Sequence, residues 1–111
     1  MESFVRINLL FDFYGQLLTE KQQQAVQWYY GEDFSLAEIA AELKISRQAV
    51  HDLLRRSEQA LEEYEEKLGL ARHYAEQCRI TRELSALLQE LQDQSDQRWQ
   101  RVFELLTELG Q

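Results

Sequence analysis

The sequence has no proline, only four glycines and a single cysteine. A chain of 111 residues without proline and with so few glycines does not suit the turn-rich all-β classes, and favours long helices. The lone thiol, Cys78, has no partner for an intramolecular disulfide, and a reducing cytoplasm is the expected setting. Long apolar runs are also missing. No stretch is long and apolar enough to span a bilayer. The opening MESFVRINLLFDFYGQLL is interrupted by Arg6, Asn8 and Asp12 and lacks a basic start, so it does not read as a signal peptide. Positive charge is scarce: 12 Lys and Arg face 20 Asp and Glu, for a formal net charge of −8. What is present is apolar content of 44%, enough for a folded core and too much for intrinsic disorder.

The apolar residues recur at helical spacing. Ile7, Leu10, Phe11, Tyr14, Leu17 and Leu18 form one stripe, widened by Phe4, Leu9 and Phe13, and predict a first helix over residues 4 to 18. Gly15 weakens its end. Thr19 followed by Gln22 has capping-box spacing and opens a second helix from Glu20 to Tyr30, with Ala25, Trp28 and Tyr29 inward and Gly31 as its stop. Ser35 and Glu38 repeat the box before a third helix with the apolar face Leu36, Ile39, Ala40 and Leu43. Ser46 caps a fourth that runs unbroken to Leu68, roughly 34 Å at about 1.5 Å per residue, and Gly69 ends it. Two more helices are expected at 71 to 92 and 96 to 109, joined across Asp93 to Asp96 with Ser95 or Asp96 as cap. The fold class is all-α.

Within SLAEIAAELKISRQAVHDLLRRSE, residues 35 to 58, the spacing is that of a helix-turn-helix. Such a motif needs two short helices crossing steeply across a turn of about three residues. Ala40 is the small residue at the crossing, Ile45 plugs the corner, and Val50, Leu53 and Leu54 turn inward. Lys44 falls where the turn requires positive φ, at a cost on the order of 1 kcal/mol for a side chain other than glycine or asparagine. No winged-helix strands follow.

SLAEIAAELKISRQAV resembles the DNA-reading fourth region of bacterial sigma factors. With NLLFDFYGQLLTEKQ and WYYGEDFSLAEIA before it and HDLLRRSEQALEEYEEKL behind, the chain is similar to the YlxM family over residues 4 to 68. These are small helix-turn-helix proteins, mainly of Gram-positive bacteria. Their genes lie beside those of signal recognition particle components, and they have been proposed as regulators of that secretion pathway. The resemblance therefore implies DNA, and signal recognition particle proteins, as partners. Two positions depart from the family pattern, Glu20 in place of proline and Lys44 in place of glycine or asparagine.

Net charge does not decide whether DNA can bind. From Lys44 to Ser57, four basic residues (Lys44, Arg47, Arg55, Arg56) face Asp52 alone, a balance of +3. Residues 58 to 66 hold Glu58, Glu62, Glu63, Glu65 and Glu66, a balance of −5. Glu65 lies about 27 Å along the helix from Arg47, beyond the roughly 8 Å Debye length at physiological salt. The expected readers are Lys44, Ser46, Arg47, Gln48, His51 and Arg55. Ser46 and the open amides behind it suit a phosphate, Arg47 a phosphate or guanine edge, and Gln48 an adenine edge. His51 and Arg55 continue that face. The alternative for each is an ordinary solvated side chain, and that is the expected reading for His51 and Arg56 taken singly.

The fourth helix is longer than a recognition helix requires. Val50, Leu54, Ser57, Leu61, Tyr64 and Leu68 make a heptad seam with one polar gap. Ile80, Leu84, Leu87 and Leu91 make a second, and Trp99, Val102, Phe103, Leu106 and Leu109 a third. The expected organisation is a helix-turn-helix domain over 1–69 and a helical extension over 70–111. That extension packs either on the long helix or on a second subunit, and a homodimer is the expectation. Glu62, Glu63, Glu65 and Glu66 read as a solvated face, with Glu63 near Lys67. His51 and His73 lack ligand partners. No phosphate-cradling glycine loop or nucleophile–base pair is present, so neither enzyme activity nor a cofactor is expected. Two functions remain open: a DNA-binding regulator, or an interaction module whose acidic helices dock on the signal recognition particle GTPase or its RNA–protein complex.

Overall fold

The computed structural model describes residues 2–91 and 97–110, which form six α-helices and no strand. They are α1 (Glu2–Tyr14), α2 (Glu20–Val26), α3 (Leu36–Leu43), α4 (Arg47–Leu68), α5 (Leu70–Leu91) and α6 (Gln97–Leu109). The expected cap at Ser95 or Asp96 lies outside the described residues. The chain divides into two compact units, Met1–Ala71 and Arg72–Gln111.

The helix starts follow local chemistry. Thr19 and Ser35 each accept from the backbone amide three residues on, and Gln22 and Glu38 return the bond to the cap amide, completing both capping boxes. The amide of Ser35 holds the Glu38 carboxyl below its ordinary range. Ser46 Oγ accepts from the Ala49 amide at 3.0 Å. Gly69 closes α4 with φ 63°.

Two ends differ from expectation. Helix α1 stops at Tyr14 and continues as a 3₁₀ turn over Gly15–Leu17. A Cβ on Gly15 would fall 2.9 Å from Phe11 Cε1, so only glycine lets that ring lie where it does. Helix α2 stops at Val26 and widens into a π turn, Gln27–Gly31, closed by the Glu32 amide on the Gln27 carbonyl at 3.1 Å. Three bulky rings follow one another there. Trp28 stacks on Phe34 with centroids 5.6 Å apart, while Tyr29 and Tyr30 both meet Phe4. The Asn8 side-chain amide donates to the Tyr30 carbonyl at 3.2 Å, tying the turn to α1. Expected inward, Trp28 and Tyr29 are half-buried, and the fully buried residue is Val26 beside Ala25.

In the first unit α1, α2 and α3 all pack on α4. The core joins Ile7, Leu10, Tyr14 and Leu18 to Ala25, Val26, Ile39 and Ala40, and closes on Val50, Leu54 and Leu61. The α4 seam is thus filled by the helices that precede it. Ser57, its polar gap, is fully buried and donates its hydroxyl to the Leu53 carbonyl at 2.8 Å. Burial ends before Leu68, which is exposed.

Glu65 corrects the expectation of a solvated face. It is 3% exposed. Tyr14 Oη donates to Glu65 Oε1 at 2.6 Å and accepts from the Leu70 amide at 2.9 Å, while the Ala71 amide donates to the same carboxylate oxygen at 3.0 Å. A buried carboxylate is costly unless hydrogen-bonded. Here it sits at the N-terminus of α5, where open amides and the helix dipole favour negative charge. Burial, reinforced by the bond to Glu65, pushes the Tyr14 hydroxyl pKa up, so it stays a donor.

Candidate nucleic-acid interface

The turn between α3 and α4 sets the site. Lys44 adopts φ 58°, ψ 44°, the left-handed conformation expected of it, and its amide and that of Ile45 both bond the Ala40 carbonyl. Ile45 is half-buried against the core and Val50 completely buried. Anchored from inside by these two residues, the leading turn of α4 projects outward. The first intrahelical bond is from the Val50 amide to the Ser46 carbonyl, and Ser46 Oγ takes the Ala49 amide. The amides of Arg47 and Gln48 therefore point out of the helix end.

Lys44, Ser46, Arg47, Gln48, His51 and Arg55 are all exposed. At 100° per residue, Arg47, Gln48, His51 and Arg55 share one face of α4. Among the described residues, Lys44, Arg47, Arg55 and Arg56 form no ion pair; the first three border this face, and Arg56 is turned about 100° past Arg55. Asp52 is more than the lone opposing charge read from the sequence. Its Oδ1 accepts from Gln48 Nε2 at 3.3 Å and lies 3.9 Å from His51 Nδ1. The bond takes one N–H of the Gln48 amide, whose carbonyl and second N–H have no bond among the described residues. The i to i+4 spacing was visible in the sequence; the direction of the side chains was not.

Beside this face lies a hollow of about 430 Å³ lined by Tyr29, Tyr30 and Leu36 on one side and His51, Leu54, Arg55 and Glu58 on the other. Tyr29, expected to face inward, lines this hollow together with Tyr30.

The acidic stretch behind the site is largely engaged. Glu58 accepts from the Tyr30 hydroxyl, and burial pushes its pKa up. Glu62 takes a two-pronged bond from Arg6, 3.0 Å from Nε and 2.7 Å from Nη2, which holds its pKa down. Glu65 is buried against Tyr14. Three of the five carboxylates in residues 58 to 66 thus have partners from residues 6 to 30, although Glu62 stays exposed together with Glu63 and Glu66. No described helix is long and apolar enough to cross a membrane.

A family model described as “UPF0122: Putative helix-turn-helix protein, YlxM / p13 like” matches residues 1–102. A UPF0122 protein of Symbiobacterium thermophilum is 54% identical over 88 residues, covering 79% of this chain and 82% of that protein. One from Desulforamulus reducens is 52% identical over 88 residues, 79% of this chain and 75% of its own. One from Bacillus cereus is 43% identical over 109 residues, 98% of each chain.

Proposed function

We propose that this chain, which belongs to the UPF0122 family of YlxM/p13-like helix-turn-helix proteins, is a non-enzymatic, cytoplasmic DNA-binding regulator that acts as a homodimer. The observation that carries the reading is the open leading turn of α4: two outward amides, a capping serine and unpaired cations on one exposed face. Ser46 and the amides take a phosphate, Arg47 and Gln48 reach base edges, and Lys44, His51 and Arg55 flank them. Four cations neutralise few phosphates, so a single copy binds non-specific DNA weakly and with a shallow salt dependence. Two copies double the contacts. The regulated genes are those tied to protein export. That assignment rests on the resemblance to YlxM proteins, whose genes neighbour those of signal recognition particle components.

The test is an electrophoretic mobility shift on DNA upstream of the chain's own gene. A shift at low salt that is lost in Arg47→Ala with Gln48→Ala is expected. A shift unchanged by those substitutions would remove the assigned face.

A second reading has its own observation. A groove of about 740 Å³ along α4 is lined by Glu58, Gln59, Glu62, Glu63 and Glu66 together with Ile7 and Tyr30. Four carboxylates along one groove suit a basic segment of the signal recognition particle GTPase or its RNA–protein complex. No DNA shift at low salt, with binding to that GTPase retained, would favour this reading.

A further inference from the structure

The hollow beside the reading face has walls from two parts of the first unit. One is the π turn, with Tyr29 and Tyr30. The other is α4, where His51, Arg55 and Glu58 follow at four- and three-residue steps and share a face. Both walls are held in place. Phe4 packs on the two tyrosine rings, Asn8 bonds the Tyr30 carbonyl at 3.2 Å, and the Phe34 amide bonds the Trp28 carbonyl at 2.9 Å. The Tyr30 hydroxyl donates to Glu58 and ties the turn to α4. The hollow is thus formed in the free chain, as ligand sites usually are, and π turns recur at functional sites.

The hydrogen-bonding capacity left open there belongs mostly to donors. Among the described residues, the Tyr29 hydroxyl has no hydrogen bond, and Arg55 has neither a hydrogen bond nor an ion pair. The nearest charged partner of His51 is Asp52, at 3.9 Å. Glu58, the one carboxylate in the lining, already accepts from Tyr30, and burial raises its pKa. A phenol, an imidazole and a guanidinium around one hollow suit an anion. Its height suits DNA. Arg55 lies about 12 Å along α4 from Arg47, beyond the roughly 8.5 Å depth of the major groove. The exposed carboxylates of Glu62, Glu63 and Glu66 further along α4 repel phosphates, so the helix enters tip first. With Arg47 and Gln48 at base edges, Arg55 and the hollow are then level with the sugar–phosphate backbone.

We propose that this hollow holds one phosphodiester of bound DNA, with the Tyr29 hydroxyl and the Arg55 guanidinium donating to its oxygens and His51 beside them. The inference rests on the DNA-binding reading above and adds a contact from outside the helix-turn-helix, since Tyr29 belongs to the π turn that precedes α3. A backbone contact carries no base information and fixes register. Tyr29 and Arg55 therefore set how far α4 enters the groove, and Arg47 and Gln48 read what it meets there.

Fluorescence anisotropy of the full chain tests it, with a labelled duplex from upstream of its own gene and a scrambled duplex, over a range of salt. Tyr29→Phe keeps the ring on Phe4 and removes the hydroxyl. It should weaken both duplexes roughly tenfold at low salt and leave their ratio unchanged. Its thermal unfolding midpoint should not move, because that hydroxyl has no bond in the free chain. Arg55→Gln should weaken both duplexes and lower the slope of log affinity against log salt by about 0.9. Glu58→Gln keeps an acceptor for Tyr30, removes negative charge from the hollow and should tighten both. Wild-type affinity in Tyr29→Phe, a loss confined to one duplex, an unchanged salt slope in Arg55→Gln, or weaker binding by Glu58→Gln would each overturn the subsite. Any of these, beside a shift that Arg47→Ala with Gln48→Ala abolishes, leaves the DNA reading standing. A wild type that binds neither duplex removes both.

Discussion

The first unit, Met1–Ala71, and the second, Arg72–Gln111, are built from the same kind of helix, and among the described residues the fully buried side chains lie in the first. Both carry apolar stripes at three- and four-residue steps. In the first, the stripe of α4 meets three other helices and Val50, Leu54 and Leu61 vanish from solvent. In the second, the stripe of α5 is not buried, and Ile80, Leu84, Leu87 and Leu91 stay exposed. An amphipathic period therefore predicts a helix and which face needs cover, and does not predict what covers it.

The contrast is most directly tested by truncating one leucine in each unit. Leu61→Ala should cost about 2–5 kcal/mol in urea denaturation, as for a fully buried leucine that leaves a cavity, with no dependence on protein concentration. Leu87→Ala should cost under about 1 kcal/mol in dilute protein, where little is buried, and more as association proceeds. Equal, concentration-independent losses would erase the distinction between the units.

The next effect lies where the first unit ends. Tyr14→Phe removes the hydroxyl that bonds both Glu65 and the Leu70 amide. A loss of about 1–3 kcal/mol is expected, since a buried carboxylate loses one of its donors. Hydrogen exchange should show the Leu70 amide deprotected. Unchanged protection at that amide would mean that the phenol does not hold the start of α5.

The smallest effect has the opposite sign. Lys44→Gly should stabilise the first unit by about 1 kcal/mol, because Lys44 is held at φ 58° and glycine adopts that conformation without strain. Amide exchange across 72 to 110 should not change. A stabilisation that spreads into α5 and α6 would show the two units folding as one.

Much of the fold was legible because the deciding interactions are short in sequence. The boxes at Thr19 and Ser35, the cap at Ser46, the positive φ at Lys44 and the stop at Gly69 each depend on atoms within a few residues of one another. The helix-turn-helix followed from Ala40, Ile45 and Val50 for the same reason, and with it the exposure of the six residues named as readers. The end of α1 was misjudged because the Gly15 backbone turns beneath Phe11. The end of α2 was misjudged because Tyr29 and Tyr30 pack on Phe4, 25 and 26 residues away in the sequence, where the helix widens into a π turn.

By itself, then, the sequence determined the helices, their caps and the helix-turn-helix corner, since backbone hydrogen bonds and side-chain caps act locally. Only the tertiary structure decided that the α4 seam is satisfied by α1, α2 and α3, that Glu62 meets Arg6, and that Glu65 is a buried tie to Tyr14 and the start of α5. A carboxylate in a run of carboxylates looks solvated until a phenol 51 residues away and two helix-terminal amides are brought beside it, and that encounter depends on long-range packing that no local pattern encodes.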